Sequence, residues 1–280
     1  DTVKRTVEYA RSLEQAHNKC FRFTITTNGV GLNDENIDYI NREMGNCVLS
    51  LDGRPEVNDK NRITPSGSGS YDIILPKFKK LLQSRGKDKD YYVRGTFTRD
   101  NLDFAEDVLH IADQGFDSIS VEPVVSEPGT SYSLREEDLP RIFAEYERLA
   151  EQMLQRHDFN FFHFNVDLSQ GPCVIKRMRG CGAGCEYVAV TPEGDIYPCH
   201  QFVGNLEYRL GNITDGTFDM SISDRFSALN IYTREDCKHC WARFYCSGGC
   251  SAANLRVNGD IAKPHFVGFE MERKRLECAI

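Results

Sequence analysis

CKHCWARFYCSGGC, residues 237–250, sets Cys237, Cys240, Cys246 and Cys250 within fourteen residues, spaced C-x2-C-x5-C-x3-C. In a C-x2-C pair the tight turn aims both thiolates at one metal centre. Gly248 and Gly249 let the chain bend close to whatever those thiolates hold. The stretch therefore reads as part of a module folded around metal rather than around a large apolar core. Working outward, Cys181, Cys185 and Cys199 stand upstream, with Gly194 five residues before Cys199, and Cys278 stands downstream. Eight candidate thiolates are the number needed by two four-cysteine iron–sulfur sites.

Composition narrows the alternatives. Nine of the eleven cysteines fall at or after Cys173, and their number is odd. With no secretion signal in view, that pattern fits metal ligation in a reducing cytoplasm better than a disulfide framework. A zinc ribbon pairs two C-x2-C knuckles, and this sequence has one. Cys20 and Cys47, at a helix end and in a strand, need no function. Net charge is −8, so no basic footprint for nucleic acid or anionic membrane is expected. No apolar run reaches the roughly 20 residues that would span a bilayer. The chain starts at Asp1 rather than Met, and an upstream portion is expected.

Ahead of the cysteines the texture is different. FRFTITTNG (21–29), CVLSLDG (47–53), YYVRGTFT (91–98) and SISVEPV (118–124) read as strands, separated by helical patterns at 33–44, 71–84, 102–115 and 136–156. A further helix precedes them at 1–18. Asn33, followed by acidic residues, is the expected N-cap of the helix after it. Alternating strands and helices predict an α/β fold with parallel strands and right-handed crossovers. Four strands are too few for a closed barrel, which leaves a small open sheet or an incomplete barrel. Texture changes near Leu168–Pro172, so the predicted domains are 1–167 and 168–280.

The order Cys181, twelve residues to Gly194, four to Cys199, then the 237–250 group and Cys278 resembles the SPASM domain, which accompanies radical-SAM enzymes. The resemblance implies two auxiliary 4Fe–4S clusters. Cys237, Cys240, Cys246 and Cys278 would hold the second; Cys181, Cys199 and Cys250 would hold the first, completed by Cys185 or Cys173. Should Cys185 not bind, one iron is left open to a substrate thiolate. The front strands resemble strands three to six of the radical-SAM partial barrel. By that likeness Ser50 and Asp52 would meet the ribose of S-adenosylmethionine (SAM), and Arg94 its carboxylate, for which a guanidinium fork is suited. The family's C-x3-C-x2-C motif for a third cluster is absent from these 280 residues and is expected upstream, so this stretch alone is not expected to cleave SAM.

GCGAGCEYVAVTPEGDIYPCHQFVG (180–204) looks most like the maturases of six-cysteine (SCIFF) ribosomal peptides, which install thioethers. Anaerobic sulfatase-maturating enzymes, which oxidise Cys or Ser to formylglycine, are the nearest rival. Those tend to carry an aspartate base where this chain has His200, a weak candidate for a catalytic base. A non-catalytic iron–sulfur or zinc-stabilised peptide-binding scaffold is the alternative of another class. The implied partners are a cysteine-rich precursor peptide and an electron donor such as a ferredoxin or flavodoxin.

Overall fold

In the computed structural model of the chain, which describes residues 1–166 and 178–280, five strands form one parallel sheet in chain order. They are β1 (Thr24–Thr27), β2 (Asn46–Ser50), β3 (Asp90–Phe97), β4 (Ser118–Pro123) and β5 (Asn160–Phe161). The helices among them are α1 (Thr2–His17), α2 (Asp34–Glu43), α3 (Pro55–Asn61), α4 (Tyr71–Gln83), α5 (Phe104–Asp113) and α6 (Leu139–Gln155). Asn33 caps α2 as expected, its side chain accepting from the Asn36 N–H at 2.9 Å. The strand β5 is an addition to the sequence reading. Two residues are too short for any periodicity to show, and only pairing with Ser118 and Ile119 of β4 defines them.

The chain divides into two compact units, the first comprising residues 1–97, 103–123 and 151–162. Its sheet has two unlike faces. Cys47, Leu49, Leu51, Val93, Phe97, Ile119 and Val121 alternate along three strands, and each is fully buried. Ile74 and Phe78 of α4 and Phe104, Val108 and Ile111 of α5 are fully buried too, and the Phe97 and Phe104 rings stack at 4.3 Å. Removing one such ring costs about 3–5 kcal/mol. On the other face the register places Ser50 beside Arg94, Arg94 beside Ser120, and Thr96 beside Glu122. Parallel strands usually bury both faces and read as continuous apolar runs. Here one face is polar, as a face that meets a ligand would be.

Backbone shape after β2 is tightly specified. Gly53 has φ 140°, and a Cβ there would lie 2.3 Å from the Asp107 side chain. Asp107, fully buried, accepts from the Arg54 N–H at 3.0 Å and from Arg54 Nε at 2.9 Å.

The second unit comprises residues 98–102, 124–150 and 163–280. The expected junction at 167/168 lies outside the described residues, as does Cys173. An antiparallel sheet orders β6 (Ala189–Val190), β7 (Asp195–Tyr197), β8 (Gly211–Asn212) and β9 (Thr217–Phe218). After it come α7 (Met220–Ala228), the single turn α8 (Arg243–Cys246), α9 (Ser251–Asn258) and α10 (Phe266–Ala279). A small core gathers Ile196, Phe202, Tyr208, Leu210 and Phe226, with the Phe202 ring 4.9 Å from Tyr208 and 5.4 Å from Phe226. Among the described residues no helix is long and apolar enough to cross a membrane.

Candidate metal centre

Seven of the eight predicted thiols sort into two sets, both within the second unit. The first is built by a tight loop at Cys181–Cys185. Its turn closes through Cys185 N–H to the Gly182 carbonyl at 3.0 Å. Gly184 N–H donates to the Pro198 carbonyl at 3.0 Å, which binds this loop beside Cys199. Ser223 of α7 locks it from behind, its hydroxyl donating to the Gly184 carbonyl at 2.7 Å. Cys250 stands at the N-terminus of α9. Burial pushes the Cys199 thiol up, and the nearby Cys250 and Cys181 thiolates push it the same way. Desolvation also raises the Cys185 thiol, with a smaller push from Cys181. These four thiols are therefore electrostatic neighbours.

The second set lies in the C-x2-C-x5-C run. Cys240 N–H donates to the Cys237 carbonyl at 3.1 Å, the turn that aligns the pair. The turn α8 then delivers Cys246 and ends at Ser247, whose φ is 58°. Gly248 follows at φ 84°, where a Cβ would press to 2.7 Å on Arg234. Arg234 is buried and tied to the Gly248 carbonyl at 3.1 Å and the Ala262 carbonyl at 3.3 Å, so the loop is shaped around a fixed guanidinium. Cys237, Cys240 and Cys246 line a small cavity with Asp236, Arg243, Phe269 and Arg273 among its other walls. Arg273 Nη2 donates to the Cys240 sulfur at 3.5 Å. Burial pushes the Cys246 thiol up to about 11, and burial also raises Cys237.

The remaining predicted ligand, Cys278, is not among the residues lining this cavity. It sits half-buried in the last turn of α10, its thiol raised by burial and influenced by Lys274, Glu147 and Glu277.

An observation independent of the cysteines bears on what the second set could hold. Nε of Arg234, of Arg243 and of Arg273 is buried without a hydrogen-bond partner among the described residues. Leaving such donors unmet costs roughly 1–3 kcal/mol each. An anionic group rich in sulfur acceptors would meet them, and a thiolate-bound iron–sulfur cluster is such a group. No three His, Cys, Asp or Glu side chains among the described residues converge tightly enough to hold a single ion. Three cysteines round one cavity, beside orphaned guanidinium donors, are the donor set that a thiolate-held, sulfur-rich anion would use.

The predicted SAM contacts lie in the first unit. Ser50 is half-buried at the end of β2, on the polar face. Arg94 is held by Glu122, with Nε donating to Oε1 at 2.9 Å and Nη2 to Oε2, a pairing that raises its pKa further. Its Nη1 makes no hydrogen bond among the described residues. Asp52 is 5% exposed and has both oxygens engaged. Oδ2 accepts from Arg62 Nε at 2.7 Å; Oδ1 accepts from Arg62 Nη2 at 2.9 Å and from the Thr96 N–H at 3.0 Å. His200 is exposed in the second unit, its Nδ1 lying 3.4 Å from the Tyr187 hydroxyl. Sequence reasoning passed over the three arginines and over Glu122 as the partner of Arg94. Arg273, four residues after Phe269 on one helix face, was the arginine with a periodic signal.

Residues 181–241 match the SPASM family model, an iron–sulfur cluster-binding domain. Among curated relatives, a cysteine-type anaerobic sulfatase-maturating enzyme of Clostridium novyi (strain NT) is 23% identical over 81% of this chain and 63% of its own length. A mycofactocin maturase MftC of Mycobacterium ulcerans (strain Agy99) is 28% identical over 97% of this chain and 69% of its own. The chain thus spans just under two thirds of the first relative. The solved structure of native anSMEcpe with bound AdoMet superposes with a TM-score of 0.74 at 19% identity, covering 98% of this chain and 78% of that one. Streptococcus suis SuiB bound to S-adenosylmethionine superposes at 0.57 and 18% identity, over 88% and 59%. The fold is accordingly the α/β fold of radical-SAM enzymes, with a SPASM domain in its cysteine-rich part.

Proposed function

We propose that the chain belongs to a radical-SAM peptide maturase that joins a cysteine sulfur of its substrate peptide to carbon as a thioether. The observation that carries this reading is the sorting of seven thiols into two sets of mutual neighbours, one beside buried guanidinium donors. Cys181, Cys185, Cys199 and Cys250 would hold one cluster, and Cys237, Cys240 and Cys246 would anchor the other. When bound, SAM would supply the radical that removes hydrogen from carbon, and the clusters would supply places for the surplus electrons.

The chain's own residues would do the positioning. Glu122 orients Arg94 and leaves Nη1 for a carboxylate, and Ser50 lies beside it in register. Asp52 would act from beneath, fixing the strand end through Arg62 and Thr96. Raised thiols bind protons until a cationic cluster displaces them, so loading would release protons and improve toward alkaline pH.

Formylglycine formation is the second reading, favoured by the likeness to a sulfatase-maturating relative. The two separate in one experiment. The full-length protein, loaded anaerobically, is incubated with SAM, dithionite and a cysteine-rich peptide, and the product is analysed by mass spectrometry. Loss of two hydrogens together with one alkylatable thiol supports the thioether. A product that reacts with hydrazine reveals the aldehyde and supports the rival.

A further inference from the structure

We propose that Arg273 tunes the second cysteine set: its Nη2–H bond to the Cys240 sulfur raises the reduction potential of the cluster held there. The proposal rests on the cluster reading above and holds whichever ligands complete the site.

Helix geometry places the residue. Phe269 and Arg273 stand four residues apart on α10, hence on one face, and both line the cavity with Cys237, Cys240 and Cys246. The Arg273 guanidinium lies 4.9 Å from the Phe269 ring, which packs it against its own helix. Nη1 donates to Glu270 Oε1 at 2.6 Å, one turn back, and Nη2 donates to the Cys240 sulfur at 3.5 Å. Glu270 thus fixes the fork by one prong and leaves the other aimed at the thiolate. A lysine carries the charge without the fork and cannot make both bonds in this geometry.

A donor at that sulfur bears on redox chemistry. Reduction adds one electron, whose charge spreads over the irons and their sulfurs, so an N–H bond and a cation at a ligating sulfur favour the reduced form. Backbone N–H groups serve both cysteine sets, from Gln201 and Phe202 at Cys199 and from Gly248 and Gly249 at Cys246. The second set adds the charged side-chain donor of Arg273, and a bond of that kind is about twice as strong as a neutral one. Other charges face the same thiols. Asp236 and Arg243 line the cavity, and Arg234 acts on Cys237. Glu272 acts on Cys246 and is itself paired with Arg275. Arg234 donates to the Gly248 and Ala262 carbonyls and Arg243 to the Lys238 carbonyl, so both tie down backbone. The contribution of Arg273 separates from this background because it bonds a sulfur directly.

The test is a dithionite redox titration of the anaerobically reconstituted full-length protein, followed by EPR. Cys246→Ser identifies, by its loss, the signal that belongs to the second set. Arg273→Gln keeps a neutral donor but removes the cation. It is expected to lower the reduced-to-oxidised ratio of that signal about tenfold at a fixed potential, a fall of about 59 mV in midpoint for one electron. Arg273→Lys is expected to fall between that variant and the parent. Arg5→Gln, exposed on α1 of the first unit, removes the same charge and should leave the midpoint where it was. Iron is measured in every variant, so loss of cluster is read apart from a shift in potential. An unchanged midpoint in Arg273→Gln would overturn the proposal, as would an equal fall in Arg5→Gln. If Arg273→Gln loads no second cluster, Arg273→Lys decides: a midpoint at or above the parent's would overturn the proposal. A parent in which Cys246→Ser removes no signal would strike the cluster reading itself, a result distinct from these.

Discussion

Asp52→Asn is the substitution that best separates architecture from cofactor contact. Asp52 is 5% exposed and accepts three hydrogen bonds, two from the Arg62 fork and one from the Thr96 backbone. Asparagine retains one acceptor oxygen but turns an NH2 group toward a guanidinium, so at least one charge-assisted bond becomes a donor–donor clash. Breaking a fully buried ion pair costs about 3–5 kcal/mol. The Arg62 side chain is 29% exposed, which lets water recover part of its solvation, and about 2–3 kcal/mol is the working figure. For a chain of this size that corresponds to roughly 5–10 °C in melting temperature. Calorimetry of the parent, Asp52→Asn, Arg62→Ala and the double variant measures it without SAM. The single losses should be non-additive, because each removes the same interaction. Melting of Asp52→Asn within about 1 °C of the parent would refute the reasoning. If that variant had also lost SAM affinity, Asp52 would be a cofactor contact after all.

Other outcomes follow from the same geometry. Arg94→Lys, which cannot reproduce the two-pronged bond to Glu122, should weaken SAM binding about tenfold by calorimetric titration. Gly248→Ala places a Cβ against a tethered Arg234 at a backbone φ of 84°, and should cost about 2 kcal/mol together with faster loss of iron under a chelator. Burial pushes the Cys47 thiol up to about 11, so the fold favours its protonated form. Stability from that group is complete below about pH 9 and is lost as pH rises through about 11, some 3 kcal/mol in all. Urea unfolding from pH 8 to 10.5 should fall more steeply for the parent than for Cys47→Ala.

Much of the architecture was legible because its signals are local. TTNG ends a strand, Asn33 with Asp34 and Glu35 starts a helix, and alternating apolar residues such as Leu49 and Leu51 mark the buried face. The two-residue β5 carries no such signal, since its pairing with β4 is a tertiary fact. Cysteine spacing pointed to metal, the resemblance grouped Cys250 with Cys181 and Cys199, and the fold brings those thiols close enough to act on one another. Position 278 was assigned by likeness alone. The helical phase of Arg273 relative to Phe269 was there to be read, but it acquires meaning only once Arg273 is seen on Cys240. Ion pairs such as Asp52 with Arg62 join residues ten apart across a loop, and no periodicity announces them.

Two iron–sulfur sites in the cysteine-rich unit are what we propose for this chain. Iron, zinc and acid-labile sulfide per chain, measured after anaerobic reconstitution, test this most directly. About eight irons with matching sulfide are expected. One or two zincs without sulfide would contradict it and leave a zinc-folded scaffold in its place.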